Sequence, residues 1–335
     1  VTDRISKHIQ PHLPNGQSGF RPKDGTTQQL SRLIHQITEK RDAGQTVIAC
    51  FFDLSKAFDR VWHQGLLAKL AHLGLDGKCL QWLASYLTNR RQRVQVESSK
   101  STWLNIPAGV PQGSVLGPLL FTAYTVDLPT ACINANTECS QFADDTAIIA
   151  AHENFLAAEE HLQSAVTTAA QWLKDWHLLV NESKTTVIHF HHTNRPPPRP
   201  PSITLNDTNL TVASRHRHLG LLIQQNLCWN SHVDYITKAT RKMFLLLRLR
   251  NSLNTSALSS IYLTYIRPIL EYACTVLSPL PATLNDRLER IQRRAARLCL
   301  HLPLFEHRTH SVLLHRLKWP SLSSRRTIAT WRKVA

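Results

Sequence analysis

Two adjacent carboxylates, Asp144 and Asp145, stand between short apolar runs, Phe142-Ala143 before them and Ala147-Ile148-Ile149-Ala150 after. Apolar runs around a tight polar pair predict a β-hairpin with the acids at its turn. Neighbouring Asp side chains repel, so the pair is costly unless something positive sits between them. A divalent cation meets that need; a solvated turn also fits, since Asp is common in turns. A second run, Thr46-Val47-Ile48-Ala49-Cys50-Phe51-Phe52, reads as a buried strand and ends in Asp53. A carboxylate there is unexpected for a core and expected for a site.

Charge narrows the class. Lys and Arg number 39 against 23 Asp and Glu, a net +16, which points to a polyanionic partner, most often nucleic acid. The excess is steepest from Asp286 onward, with 12 Lys/Arg and three Asp/Glu. No apolar run reaches the ~18 residues of a membrane span. The polar start, Val1-Thr2-Asp3-Arg4, carries no signal-peptide pattern, and a Val start suggests a piece of a longer chain. The seven cysteines lack zinc-site spacing and read as reduced thiols of an intracellular protein. His189-Phe190-His191-His192 has no carboxylate or Cys nearby and reads as an exposed strand end rather than a metal site.

Along the chain, the loop from Gly16 to Gly25 places Arg21 and Lys23 beside backbone amides that could hold a phosphate. Thr26 or Thr27 then caps a helix with Leu30, Leu33, Ile34 and Ile37 at helical spacing. After Asp53 two helices follow, one carrying Leu66, Leu67, Leu70 and Leu73, the next starting near Asp76. Asn89 to Glu97 reads as a basic hairpin strand, with Arg91, Arg93, Gln95 and Glu97 on one face and Val94 and Val96 on the other. A Gly- and Pro-rich loop, Ile106 to Pro118, precedes an apolar helix from Leu119 to Leu128. A long amphipathic helix is expected from Glu153 to Leu178, then strands at Thr186–Phe190, 203–205 and 218–223, with a stiff proline-rich loop at 195–201. From about 230 the pattern is helical. Ser231 and Asp234 suggest a capping box, a helix from Ser256 to Cys274 is expected to kink at Pro268, and a third helix starts near Asn285.

Asp53 with Asp144 and Asp145 would suit a hard-cation site. Mg²⁺ takes oxygen ligands and leaves room for substrate phosphates. Two such ions about 3.5–4 Å apart clamp the attacking and leaving oxygens of phosphoryl transfer. With a basic surface, this favours nucleotidyl transfer on a nucleic acid, although spacing alone does not bring Asp53 to the pair.

The motifs in order are Gly19-Phe20-Arg21-Pro22, Phe52-Asp53-Leu54-Ser55-Lys56-Ala57-Phe58-Asp59, Gly109-Val110-Pro111-Gln112-Gly113-Ser114, Phe142-Ala143-Asp144-Asp145, Asn181-x-x-Lys184-Thr185 and His218-Leu219-Gly220. As a set they resemble the reverse transcriptases of non-LTR retrotransposons, most of all the jockey-type, LINE-like elements of animals.

The resemblance implies an α+β fold: a right-hand polymerase whose palm is an antiparallel sheet packed on helices, with partial fingers and a C-terminal helical thumb. Fingers would occupy 1–45, palm 46–228 with a fingers-type insertion at about 75–105, and thumb with a basic C-terminal region 229–335. It also implies RNA-directed DNA synthesis with an RNA template, a DNA primer, dNTPs and two Mg²⁺ ions, Mn²⁺ being able to substitute. Asp53, the Leu54 carbonyl, Asp144 and Asp145 would hold metal. Phe58 would be the steric gate beside the ribose, Gln112 and Gly113 would line the nucleotide, Arg21 would grip the triphosphate and Lys184 would protonate pyrophosphate. Asp59 reads as structural and residues 218–223 as the primer grip. By the same resemblance the chain begins inside the fingers and lacks the upstream endonuclease, and an active copy would work in the nucleus. The alternatives are an RNA-templated RNA polymerase, against which Phe58 argues, and a catalytically silent nucleic-acid-binding remnant.

Overall fold

The computed structural model describes residues 2–191, 199–303 and 310–334. His192 and most of the proline-rich 195–201 run lie outside the described residues. The chain divides into two compact units, one of residues 1–29 and 35–214 and one of residues 30–34 and 215–335.

The first unit is built on a six-stranded sheet in the order Gln17–Ser18, Thr137–Phe142, Asp145–His152, Thr46–Phe52, Thr186–Phe190, Thr211–Val212. The four central strands pair antiparallel, while both edge strands pair parallel, so the sheet is mixed rather than wholly antiparallel. Thr46–Phe52 lies inside the sheet and is buried on both faces from Val47 onward. Its uninterrupted apolar run requires this, since alternate side chains point to opposite sides.

On one face Ile48, Cys50 and Phe52 pack with Ile148, Ala150 and Val187 against the helix Phe155–Asp175. Leu162, Ala165, Val166, Ala169, Trp172 and Leu173 of that helix supply the facing stripe. The Asn154 side chain starts the helix by accepting the N–H groups of Leu156 at 2.8 Å and Ala157 at 3.3 Å.

Several local expectations are corrected. The helix Thr26–Asp42 is capped at Gly25, whose N–H donates to the Gln28 side chain, and not by a threonine. The apolar helix after residue 116 is two pieces, Gly117–Tyr124 and Leu128–Cys132. His189 is buried in the strand Thr186–Phe190, 5.5 Å from the Phe155 ring, rather than at an exposed strand end; burial holds its imidazole down at about 4. The basic strand after Asn89 breaks into two short ladders, Arg91–Gln92 with Leu104–Asn105 and Gln95–Val96 with Ser99–Lys100. Its Val94 and Val96 face no core.

In the second unit the run 218–223 is not one strand but the turn of a hairpin, Arg215–His218 paired with Leu221–Gln224. Leu219 and Gly220 both have positive φ, 46° and 82°, the geometry of a two-residue hairpin turn, and Gly220 takes it without strain. The helix Asn230–Ala239 begins without a capping box: Gln224 accepts the Ser231 N–H, and Asp234 pairs instead with Arg287. The next long helical stretch is Thr255–Ile261, a π turn over Tyr262–Ile266, and Arg267–Glu271. Pro268 has no N–H to give the carbonyl four residues back, and the wider turn absorbs that loss.

The helix Ala282–Cys299 organises two cores, one with Met243, Leu258, Tyr262 and Trp319, the other with Val233, Leu270 and Leu322. Tyr262 stacks on Trp319 at 4.4 Å and donates to Gln292 at 3.0 Å. Part of the basic excess is structural here: Arg325 pairs with Glu271, and Arg326 donates to Asn285.

Candidate active site

Register brings the acids together. Phe52 lies opposite Thr146 at the end of the central pairing, so continuing one residue sets Asp53 opposite Asp145. In the neighbouring pairing Phe142 lies opposite Asp145, which leaves Ala143 and Asp144 as the two-residue turn, with Ala143 at φ 55°. The buried Gln141 side chain steadies this turn by donating to the Ala143 carbonyl at 3.0 Å.

The carboxylates sense one another. Burial, and then the nearby charge of Asp53, raises the Asp144 carboxyl above its ordinary range, against an opposing backbone hydrogen bond. Burial first, then Asp144 and Asp53, pushes Asp145 up to about 6. Like charges held this close are what a cation between them would relieve.

Among the described residues no three His, Cys, Asp or Glu side chains are gathered tightly enough to enclose a metal ion by themselves. The side chains that Asp53, Asp144 and Asp145 offer at this end of the sheet are all oxygen donors. That fits Mg²⁺, which keeps waters and substrate phosphates as ligands and uses one or two carboxylates; it does not fit a closed structural site.

Asp53 is held from behind by the turn that follows the strand Leu179–Val180. Its carbonyl accepts the Asn181 N–H at 2.7 Å, and its N–H donates to the Thr185 hydroxyl at 3.3 Å. Leu54 and Ser55 pair with Val180 and Leu179, continuing the clamp.

Beside the acids lies an open cleft of about 390 Å³ whose lining includes Asp144, Phe58, Gln112, Gly113, Phe20 and Lys56. Phe58 is half-buried, stacked on Phe121 at 4.3 Å and met edge-on by Phe20 at 6.5 Å. The loop carrying Gln112 is stapled to the Phe58 segment: Val110 donates to the Phe58 carbonyl at 2.8 Å, and Gln112 Nε2 to Asp59 at 2.9 Å. Gly109, at φ 95°, is pressed so close that a Cβ there would lie 2.8 Å from the Asp59 backbone. Only glycine serves at that position.

The sequence-derived residues thus separate. Phe58, Gln112, Gly113 and Asp144 share the cleft, and Asp53 and Asp145 adjoin Asp144. Arg21 does not line the cleft; its Nη1 donates to the carbonyls of Pro14 at 3.1 Å and Gln17 at 3.0 Å. Lys184 is exposed and also outside the lining. Sequence reasoning missed Lys56, the basic side chain of the cleft lining, which sits in left-handed conformation at φ 51°. It also missed Thr185 and Asn181 as supports of Asp53; only the ordered motif around Lys184 hinted at them.

Three comparisons bear on this geometry. The family model described as "Reverse transcriptase (RNA-dependent DNA polymerase)" matches residues 1–236. The RNA-directed DNA polymerase from mobile element jockey of Drosophila funebris is 30% identical over 308 residues, 89% of this chain and 33% of that protein. The probable RNA-directed DNA polymerase from transposon BS of Drosophila melanogaster is 33% identical over 315 residues, 91% of this chain and 34% of that protein. The chain therefore spans about a third of the length of these relatives. Among solved structures, apo telomerase from Candida tropicalis aligns over 90% of this chain and 50% of its own with a TM-score of 0.52 at 12% identity, a likeness of fold. With the family model covering most of the chain, including both strands that carry the acids, the chain belongs to the reverse transcriptase (RNA-dependent DNA polymerase) family.

Proposed function

We propose that the chain carries the polymerase core of a non-LTR retrotransposon's RNA-directed DNA polymerase, which extends a DNA primer 3′-OH with dNTPs on an RNA template. The observation that carries the reading is the meeting of Asp53, Asp144 and Asp145 at one end of the sheet, beside a cleft walled by Phe58, Gln112 and Gly113. In this reading 1–45 belong to the fingers, 46–228 are the palm with an insertion at about 75–105, and 229–335 are the thumb and basic tail.

Asp53, Asp144, Asp145 and the Leu54 carbonyl would hold two Mg²⁺ ions, which supply Lewis-acid stabilisation of the attacking and leaving oxygens. The remaining work falls to the chain's own groups. Phe58, fixed by Phe121, occupies the space of a ribose 2′-OH. Gln112 and Gly113 form the facing wall. Lys56, within the same cleft, pairs with nucleotide phosphate, and Lys184 protonates the departing pyrophosphate once the nucleic acid is in place.

Primer extension on a homopolymer RNA template with Mg²⁺ or Mn²⁺, run beside Asp144→Asn, tests this. Template-dependent dNTP incorporation that disappears in Asp144→Asn is expected. No incorporation, even by a chain extended upstream, would end the polymerase reading and leave a nucleic-acid-binding remnant.

A further inference from the structure

A groove of about 400 Å³ lies within the second unit and shares no residue with the cleft. One wall runs from the helix Asn230–Ala239 through the tight turn Thr240–Lys242 into the helix Met243–Leu249; the other is the helix Ala282–Cys299. Met243, Phe244 and Leu247 from the first wall and Ile291 and Leu298 from the second make it apolar. Met243 and Leu298 also belong to the core around Tyr262, so the floor is a fixed part of the fold. Thr237 and Thr240 line it too, and their hydroxyls donate to the carbonyls of Val233 at 2.6 Å and Thr237 at 2.5 Å.

The helix Met243–Leu249 is not composed as a solvated surface helix. Such a helix turns one apolar stripe inward and polar groups outward, whereas one that is apolar all round belongs in an interior. Here Met243 and Leu246 enter the core, yet Phe244, Leu245 and Leu247 are left 57%, 43% and 41% exposed. Charge frames the apolar floor. Arg241 and Arg294 stand on the two walls, and no carboxylate lines the groove among the described residues. Arg248 adds a third guanidinium, stacked 4.7 Å from the Phe244 ring centre.

We propose that this groove docks an amphipathic helix of another protein, with its apolar stripe on Phe244, Leu247 and Ile291 and with Asp or Glu on its flanks facing Arg241 and Arg294. Helices seated in such grooves take apolar anchors at i, i+3, i+4 and i+7. The wall from Thr237 to Leu247 runs about 15 Å at 1.5 Å per residue, room for about three turns of a docked helix. Charge selects the occupant. A second copy of this chain would bring its own net +16 to a basic rim. A nucleic-acid backbone would answer the guanidinium groups but would press hydrated phosphates onto Phe244, Leu247 and Ile291, losing the gain from covering them. A helix flanked by carboxylates meets the floor and the rim together. This surface stands independently of the polymerase reading.

Fluorescence anisotropy tests this with the chain and a labelled, lactam-stapled helical peptide of about 14 residues, carrying Leu at anchor spacing and Glu beside the stripe. One reference is an isomer whose residues are shuffled so that Leu is spread round the helix; the other has Lys in place of Glu. The striped Glu peptide is expected to bind with a Kd of about 10 µM, and both references about tenfold more weakly. Met243 is the only methionine in the sequence, so its carbon-13-labelled methyl group gives one NMR signal, which should move with the striped peptide and not with the shuffled one. Phe244→Ser with Leu247→Ser replaces exposed side chains, so the fold holds. It should weaken the striped peptide about tenfold and leave shuffled-peptide binding as it was. Arg241→Glu with Arg294→Glu should turn the preference to the Lys peptide. Equal binding of the striped and shuffled peptides, or an affinity that survives both double variants, overturns the proposal. So does a nucleic-acid duplex that moves the Met243 signal and loses affinity in the Ser variant, which would assign the groove to nucleic acid instead.

Discussion

The Thr185 hydroxyl accepts the backbone N–H of Asp53 at 3.3 Å and donates to the Asn181 carbonyl at 2.9 Å, 132 residues of sequence separating the first pair. Thr185 is fully buried, so this bridge has no solvent to replace it. It fixes the backbone from which one of the three carboxylates projects. Thr185→Val keeps the shape and deletes both bonds, leaving a buried N–H short of an acceptor at a cost of ~1–3 kcal/mol. We expect kcat to fall about tenfold, equivalent to ~1.4 kcal/mol in the barrier, with KM for dNTP nearly unchanged and activity restored in Thr185→Ser. Equal losses in the Val and Ser variants would show that Thr185 only fills space.

Phe58 has two neighbours that decide how its removal reads. Phe121, fully buried, stacks on it from the core side, and Phe20 meets it from the exposed side. Phe58→Ala therefore opens the cleft without removing its floor. Discrimination between dNTP and rNTP, measured as the ratio of kcat/KM values, is expected to drop at least tenfold, within the ~10–200-fold that one steric contact supplies. Unchanged discrimination would assign the ring to packing and revive an RNA-templated RNA polymerase.

The acids also link activity to pH. Asp145 titrates at about 6 in the folded chain, against about 3.9 unfolded. The native state then holds more protons than the unfolded state between those values, so stability falls as pH rises through that window. Asp145→Asn is thus expected to raise the melting temperature of the metal-free protein above about pH 6 and to leave it unchanged below about pH 4. Because a bound cation favours the ionised carboxylate, primer extension in the unaltered chain should rise with pH below about 6 rather than through it. A melting gain of equal size at both pH values would mean that the buried charge of Asp145, with its repulsion by Asp144 and Asp53, is not what the substitution relieves.

What was legible in the sequence and what was not follow from the range of the interactions. Thr46–Phe52, Asp53 and the Asp144-Asp145 turn were readable because hydrophobic run length and a local turn specify them. That Asp53 stands opposite Asp145 depends on register across 92 positions, and only the family resemblance brought the two together beforehand. The run 218–223 reads as one strand because Leu219 and Leu221 look continuous, while the turn that makes it part of the 215–224 hairpin depends on two positive φ angles. Ser231 and Asp234 have the capping-box spacing, yet Arg287 claims Asp234 from another helix. Lys56 enters the cleft through a left-handed backbone that no periodicity reports.

Lys69 is a charge placed where the apolar spacing of its helix called for packing. It is buried, donates to the Tyr124 carbonyl and Asp127 at 2.5 Å each, and lies 3.4 Å from the Trp176 ring centre and 4.4 Å from that of Trp172. Desolvation, opposed by Asp127, lowers its pKa to about 8, against about 10.4 unfolded. Between those values the unfolded chain holds the extra proton, so the contribution of Lys69 to stability rises with pH across the window, by up to ~3 kcal/mol. Asp127 is half exposed and rehydrates when its partner is lost. Lys69→Met, which fills the same space between the aromatic rings, should therefore cost less than ~1.5 kcal/mol near pH 7. Lys69→Ala, which empties it, should cost ~2–4 kcal/mol. Denaturant titrations of the three proteins at pH 7 and near pH 10 read both effects. If Met and Ala destabilise equally, and the unaltered chain gains nothing over the Met variant on going to pH 10, the charge and not the packing is what this position requires.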